Sequence, residues 1–87
     1  MNMIQAEINN KVWDIVAKLL ETEITQDTEL DDAGLDSIKF ISLVIELEDY
    51  FQIEIPDTAL RIGEMNTIAK ITQIIYGVLN DEVLDKE

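Results

Sequence analysis

The sequence predicts an all-α fold: a four-helix bundle with a long loop between the first two helices and a short third helix. Only three of the 87 residues are glycine and one is proline, so few positions interrupt a helix. Hydrophobic residues make up 47% of the chain and aromatic residues 6%, and the apolar positions recur at helical spacing. This length fits one domain, placed at residues 1–87 with its core over about residues 3–80.

A first helix is predicted over residues 3–20. Its apolar residues follow one another at steps of four, four, three and four, which places them on one helical face. They are Ile4, Ile8, Val12, Ile15 and Leu19. Charged residues fall on the other side, so one face is expected to pack on the core.

Residues 21–36 are predicted to form a long acidic loop. They contain no basic residue, and their threonines and single glycine favour turns. The acidic residues are Glu21, Glu23, Asp27, Glu29, Asp31, Asp32 and Asp36. Because Ile24, Leu30 and Leu35 are interspersed, the loop is expected to pack across the domain. A loop of this length in a small domain also favours a functional role.

The second helix is predicted from Ser37 to about Phe51. Here the polar residues form the narrow stripe, at steps of three, four and three. The stripe consists of Lys39, Ser42, Glu46 and Asp49. Such a helix is predicted to be central in the bundle, with only this stripe facing water or a partner. Val44 lies opposite the stripe and is expected to be deeply buried.

Two further helices complete the predicted fold. Pro56 disfavours helix at the residue before it, and Asp57 can cap a short third helix through about Arg61. Asn66 or Thr67 is expected to cap a fourth helix. The apolar residues of this helix recur at steps of three, four and three: Ile68, Ile71, Ile75 and Val78. Residues 81–87 are predicted to be a frayed tail.

Charge and missing residue types exclude several functions. A formal net charge of −13 repels the phosphates of nucleic acids and of anionic membranes. The absence of Cys and His excludes disulfides, the usual zinc sites and a Ser–His–Asp triad. No apolar run approaches the roughly 18 residues that span a membrane, and no signal segment opens the chain. We therefore expect a cytoplasmic, monomeric protein that is not an enzyme and does not bind nucleic acid, a membrane or a metal.

The junction between the acidic loop and the second helix holds the main candidate site. Gly34 permits a tight turn, and Asp36 can cap the helix that follows. Ser37 then lies in the first helical turn, where a hydroxyl is exposed and the positive end of the helix dipole favours an attached phosphate. These conditions suit a phosphodiester, although a lone serine at a helix start is more often a cap.

The sequence around this junction resembles the attachment motif of acyl and peptidyl carrier proteins. The similarity is carried by Asp-Thr-Glu-Leu at residues 27–30 and Gly-Leu-Asp-Ser-Ile at residues 34–38. It continues through Leu-Glu-Asp-Tyr-Phe-Gln-Ile-Glu-Ile-Pro-Asp at residues 47–57 and resumes with Met-Asn-Thr-Ile at residues 65–68. In all it covers about residues 4–80. The Asp-Ser pair alone is common, whereas the full set at these spacings is specific.

This resemblance implies a covalent cofactor. In that family, a separate phosphopantetheinyl transferase esterifies the serine matching Ser37 with 4′-phosphopantetheine from coenzyme A. The terminal thiol then carries acyl or aminoacyl groups as thioesters, so loading and condensing enzymes are the further partners implied. Asp36 is expected to position Ser37. The expected partner contacts are Ile38, Lys39, Ser42, Glu46 and Asp49.

The resemblance also bears on the pathway. Discrete fatty-acid carriers usually have acidic residues at the positions of Lys39 and Ser42. An Asp-Ser-Ile sequence followed by a basic residue looks more like carriers that serve nonribosomal peptide or polyketide assembly. The resemblance therefore favours that assembly role, with fatty-acid synthesis as the alternative.

A calcium site and an unmodified adaptor are the alternatives from other classes. An EF-hand loop needs a bidentate Glu at its twelfth position. Started at Asp27 or at Glu29, the pattern has Ile38 or Phe40 there, so both registers fail. An acidic helical adaptor in which Ser37 is only a cap remains the alternative to a carrier, and treatment with a phosphopantetheinyl transferase separates the two.

Overall fold

The computed structural model describes residues 3–80 and confirms the predicted all-α class. It contains three α-helices, which are α1 (Gln5–Leu20), α2 (Ser37–Phe51) and α3 (Ile68–Leu79). No strand occurs among the described residues. The predicted frayed tail, residues 81–87, lies outside them. None of the helices in the described part of the chain is long and apolar enough to cross a bilayer.

One face of each helix builds the core, and α1 contacts both of the other helices. The fully buried residues recur at steps of three and four, as the helical pattern predicts for the middle of α1 and for α3. They are Ile8, Val12 and Val16 in α1, Leu43, Leu47 and Phe51 in α2, and Ile68, Ile71 and Ile75 in α3. These faces hold α2, and hence its first residue Ser37, in a fixed place. Three predicted face residues differ, since Ile4 precedes α1 and is exposed, and Leu19 and Val78 are half-buried.

The predicted short third helix is replaced by two 3-10 turns, Asp57–Ala59 and Ile62–Glu64. The amide of Ala59 donates to the carbonyl of Pro56 at 2.9 Å, a three-residue spacing that closes a 3-10 turn. A segment of five residues closes too few four-residue hydrogen bonds to offset the cost of nucleating an α-helix. The fourth predicted helix is therefore α3, and Thr67 caps it by accepting a 3.1 Å hydrogen bond from the amide of Lys70.

The predicted central position of α2 is wrong. Only Leu43, Leu47 and Phe51 are buried in this helix, and Val44 is half-buried rather than deeply buried. Three isoleucines on the other side are exposed: Ile38 by 77%, Ile41 by 59% and Ile45 by 59%. A bundle of three long helices covers only one face of each, so apolar residues in excess of that face remain in water. The apolar content of one helix therefore does not predict how many other helices pack around it.

Glu48 has a structural role that the helical pattern left unexplained. Its carboxylate oxygen Oε2 accepts a 2.9 Å hydrogen bond from the amide of Ile55, a residue buried beyond the end of α2. This bond closes the bend after the helix, where Gln52 adopts a left-handed backbone with φ of 56°. Glu48 therefore directs the chain back towards the core instead of contributing to the exposed surface.

The acidic loop packs across the domain, as predicted. Ile24, Leu30 and Leu35 are all buried. The loop is also hydrogen bonded to α3, because the amide of Ala69 donates to the carbonyl of Gln26 at 3.3 Å. The region that precedes Ser37 therefore has a defined conformation despite its length.

A polar network beside the core also holds the acidic loop against α1 and α3. Gln26 and Asn9 exchange two side-chain hydrogen bonds, of 2.7 and 3.1 Å. Thr72, which is buried in α3, donates from Oγ1 to Oδ1 of Asn9 at 3.0 Å. One amide side chain thus links α1, the loop and α3, and satisfies the buried hydroxyl.

Candidate functional site

A tight turn delivers the chain to the start of α2. Gly34 has φ of +113°, in the left-handed region that side chains strain to adopt, so glycine is required there by conformation. The amides of Ala33 and Leu35 both donate to the carbonyl of Leu30, at 3.0 and 2.8 Å. Because the Leu30 and Leu35 side chains are buried, the turn is fixed at both ends.

Asp36 and Ser37 follow this turn at the surface. Asp36 is the N-cap of α2, and its Oδ1 accepts a 2.9 Å hydrogen bond from the amide of Lys39. Ser37 is the first residue of the helix and is exposed. The cap is therefore the aspartate, which leaves the serine hydroxyl without the capping role that a serine at a helix start usually has.

The start of α2 fits a phosphate group attached to Ser37. This helix is 15 residues long, and its first turn contains no acidic residue. Its N-terminus carries the positive end of the helix dipole and amides that the helix itself does not use. A phosphodiester at this place meets favourable charge from the backbone. Lys39, two residues further on, projects from another side of the helix.

Two parallel rows make up most of the exposed surface of α2, which also includes Tyr50. The isoleucine row is Ile38, Ile41 and Ile45, and the polar row is Lys39, Ser42, Glu46 and Asp49. Glu46 and Asp49 are exposed, whereas Lys39 and Ser42 are half-buried. Both rows begin within two residues of Ser37 and extend along the helix for roughly 10–15 Å, at the usual rise of 1.5 Å per residue. The candidate partner contacts therefore lie together on one helix, beside the candidate attachment residue.

Sequence reasoning missed two residues of this surface, Ile41 and Ile45. Their spacing from Ile38, three and then four residues, was a usable signal because it is itself the spacing of one helical face. The polar row alone suggested that only its own positions face water, whereas the isoleucine row beside it is also exposed. An apolar row in water next to a candidate modification site indicates a surface that other proteins contact.

The surroundings of Ser37 are strongly acidic. All seven acidic residues of the loop are exposed, and the carboxylates of Glu29, Asp31 and Asp32 lie within 4.8 Å of one another. Both ion pairs among residues 3–80 involve Asp14 on α1, bonded to Lys11 at 3.6 Å and to Lys18 at 3.4 Å. The loop charges are therefore not neutralised within the described residues, and they favour approach of a basic protein surface.

Comparison with protein families shows one match to this chain. Residues 10–75 match the family described as "Phosphopantetheine attachment site". This span includes the tight turn, Asp36, Ser37 and all of α2. It covers three quarters of the chain, so the match concerns the domain as a whole and not a local motif.

Individual relatives are carrier proteins of more than one kind. The chain is 38% identical to an acyl carrier protein of Chlorobium phaeovibrioides, over 70% of this chain and 85% of the relative. It is 39% identical to an acyl carrier protein of Lactobacillus acidophilus, over 63% of this chain and 74% of the relative. It is 32% identical to a D-alanyl carrier protein of Streptococcus uberis, over 84% of this chain and 96% of the relative.

Proposed function

Because the chain belongs to the family of carrier proteins that bear a phosphopantetheine attachment site, we propose that Ser37 carries its 4′-phosphopantetheine. Members of this family are tethering domains rather than enzymes, and the prosthetic group is attached covalently. The observation that supports the assignment to Ser37 is its exposed position at the first residue of α2, directly after the capping Asp36, which itself follows the buried Leu35. The arm supplies a thiol, which a chain without cysteine lacks.

Ser37 is the nucleophile of the attachment step in this proposal. Its oxygen forms a bond to the phosphorus that bears the pantetheine of coenzyme A. The phosphoanhydride bond at that phosphorus breaks, and adenosine 3′,5′-bisphosphate leaves. In this scheme the serine proton passes to a base on the transferase. The role of this chain is to hold the hydroxyl at the surface in one geometry, next to the positive end of α2.

The proposal is tested by incubating the protein with coenzyme A and a phosphopantetheinyl transferase. Intact mass spectrometry is expected to show one phosphopantetheine per chain, and peptide fragmentation is expected to place it on Ser37. The same experiment separates the carrier from the unmodified acidic adaptor. A chain that remains unmodified under conditions that fully convert a known carrier would support the adaptor.

The two rows on α2 form the proposed partner surface, with Ile41 and Ile45 added to the residues expected from the sequence. The isoleucines contribute apolar area that a partner removes from water, and the charges of Lys39, Glu46 and Asp49 orient the approach. We also propose that the protein acts as a monomer. Three isoleucine side chains fall well short of the roughly 800 Å² per partner that a stable interface buries.

Substitution of Ile41 is expected to weaken this contact without unfolding the protein. Burial of most of an isoleucine is worth about 1–2 kcal/mol, so Ile41→Asn is expected to lower the transferase kcat/KM by about 5- to 30-fold. Because the side chain is 59% exposed, the free energy of unfolding is expected to change by about 0.5 kcal/mol or less. The measurement is steady-state kinetics with carrier as the varied substrate.

Ile4→Asn is the matched control for that variant. Ile4 is 65% exposed but precedes α1. Helices α1 and α2 run antiparallel, since Lys11 lies 4.5 Å from the Tyr50 ring while Lys18, later in α1, lines the same cleft as Glu46, earlier in α2. This places Ile4 towards the end of the bundle away from Ser37. Equal losses in the two variants would contradict a docking role for the isoleucine row.

For the cargo, we propose acyl or aminoacyl thioesters of nonribosomal peptide or polyketide assembly. The half-buried Lys39 and the neutral Ser42 support this. Enzymes of fatty-acid synthesis that are adapted to carboxylates at these two positions would meet a positive charge at Lys39 and no charge at Ser42. Fatty-acid synthesis is the second candidate, and the relatives named acyl carrier proteins favour it. Aminoacyl cargo is favoured by the D-alanyl carrier relative.

Introducing carboxylates at Lys39 and Ser42 discriminates between these pathways. The holo-protein is expected to be a poor substrate for fatty-acid elongation enzymes, and Lys39→Asp with Ser42→Glu is expected to improve it. Each surface ion pair is worth about 0.2–1 kcal/mol, so the gain from two pairs is about 2- to 30-fold at low ionic strength and shrinks as salt is added. Steady-state rates at two salt concentrations measure it.

Lys70→Asp with Gln73→Glu controls for overall charge in that comparison. Both residues are exposed on α3, three positions apart like the first pair, and the change in charge is the same. High activity of the unaltered protein with elongation enzymes would favour the fatty-acid alternative. A gain that is equal in both double variants would show that net charge, and not the α2 surface, determines acceptance.

A further inference from the structure

Asn66 joins the start of α3 to the loop that precedes Ser37. Its Oδ1 accepts a 3.0 Å hydrogen bond from the amide of Asp31, and its Nδ2 donates a 3.1 Å hydrogen bond to Oδ1 of the same residue. Its backbone carbonyl accepts a 2.7 Å hydrogen bond from the amide of Leu30. We call these three bonds the Asn66 clamp. One residue thus binds two consecutive residues that lie 35 and 36 positions earlier in the chain.

The clamp lies at a cluster of like charges in the loop. Asp31 is one of three carboxylates within 4.8 Å of one another, and like charges at this separation repel. Among residues 3–80, neither ion pair involves this cluster. The amide of Asn66 gives the Asp31 carboxylate a hydrogen-bond donor in place of a cation, and it does so without adding charge.

A continuous series of contacts leads from the clamp to Ser37. The carbonyl of Leu30, held by the clamp through its own amide, accepts from the amide of Leu35, and Leu35 is buried. Asp36 and Ser37 come next and begin α2. The contacts thus run without a break from the clamp at residues 30 and 31 to the start of α2. The geometry of the clamp is therefore transmitted to the hydroxyl of Ser37.

We infer that Asn66 is a positioning residue for the modification of Ser37, with Asp31 as its partner. This inference rests on the proposed attachment at Ser37. Loss of the clamp lets the turn sample other conformations, of which a transferase accepts only the native one. A reduced fraction of competent conformers raises the apparent dissociation constant in proportion, so KM for the carrier rises while kcat at saturation stays the same.

Exchange of the two side chains provides the test, because it separates the clamp from charge. Asn66→Asp removes the donor and places a fourth carboxylate in the cluster. Asp31→Asn keeps an acceptor oxygen for Asn66. The double variant Asp31→Asn with Asn66→Asp rebuilds the pair with its roles reversed, at the net charge of the unaltered protein. These four proteins form a double-mutant cycle.

Asn66→Asp is expected to raise the transferase KM by about 3- to 10-fold, the size that one lost hydrogen bond supports, with kcat unchanged. Asp31→Asn is expected to stay within about twofold of the unaltered protein, and the double variant is expected to return to that level. Circular dichroism at the assay temperature confirms that all four are folded. The added negative charge of Asn66→Asp favours a basic transferase, so charge alone predicts the opposite sign.

The outcomes separate this inference from the proposed function. If all four proteins are modified with the same KM, Ser37 remains the attachment site and the positioning role is refuted. If Asn66→Asp only lowers the unfolding midpoint, or the exchanged pair fails to restore KM, the clamp is structural and the inference is also refuted. If the unaltered protein takes no arm, the proposed function fails, and the positioning role fails with it.

Discussion

Ser37→Ala is expected to abolish phosphopantetheine attachment, the largest functional effect of any single substitution in this protein. The alanine variant has no oxygen to bond to phosphorus, so the transferase has no acceptor at this position. Intact mass after incubation with coenzyme A and a transferase is expected to show only the unmodified chain, where the unaltered protein gains one group.

The structure also indicates that this variant folds normally. Asp36 rather than Ser37 caps α2, so alanine replaces a residue that is exposed and lies just inside the helix. Alanine is a good helix former, and the free energy of unfolding is expected to change by less than about 0.5 kcal/mol. Far-UV circular dichroism before and after thermal unfolding checks this.

Ser42→Ala is the matched control, since Ser42 is the only other serine in the chain. It is half-buried on the polar row and is expected to leave the mass gain intact. Attachment to the Ser37→Ala protein, or loss of attachment in the Ser42→Ala protein, would show that the arm is held elsewhere.

Leu47→Ala is expected to cause a large loss of stability. Leu47 is fully buried against the core faces of the bundle, and removing three carbon atoms leaves a cavity that the surrounding side chains fill only in part. Such changes cost about 2–5 kcal/mol, which is a large share of the total of about 5–10 kcal/mol typical of a small domain. Urea unfolding followed by circular dichroism is expected to show a midpoint lower by at least about 1 M.

Ile45→Ala tests whether the orientation of α2 is correct. It lies two residues from Leu47 and has the same number of carbon atoms, but it is 59% exposed. Its loss is expected to cost less than about 1 kcal/mol. Similar midpoints for the two variants would contradict the division of α2 into a buried face and an exposed isoleucine row.

The sequence predicts most of the fold because helical periodicity reports which side of a helix is apolar. This was sufficient for most of α1 and α3, although Ile4, expected on the core face, lies before the start of α1 and is exposed. Helical periodicity failed for α2, because this helix has apolar residues on two sides. Which of the two sides faces the core depends on the positions of the neighbouring helices. Periodicity also failed at Asp57, because a segment of about one turn lies below the length at which pattern distinguishes α-helix from 3-10 turn.

The candidate site was accessible from sequence to the extent that its residues are adjacent in the chain. Gly34, Asp36 and Ser37 form one short motif, and the structure places them in one turn and helix start. Asn66 gave no comparable signal. Its partner is 35 residues away, and an asparagine before a helix is a common cap. Contacts of this kind depend on tertiary packing, which no local spacing encodes.

The hydrogen bonds that join the loop to Asn66 and Ala69 have a consequence for biosynthesis of the protein. The ribosome synthesises Ser37 before α3, and at 5–20 residues per second the intervening chain takes a few seconds to make. During that interval neither the Asn66 carbonyl, which accepts from Leu30, nor the Ala69 amide, which donates to Gln26, exists, and the nascent loop lacks these two native hydrogen bonds. The serine is presented in its final geometry only once translation has passed α3, so an enzyme that requires this geometry discriminates against unfinished chains.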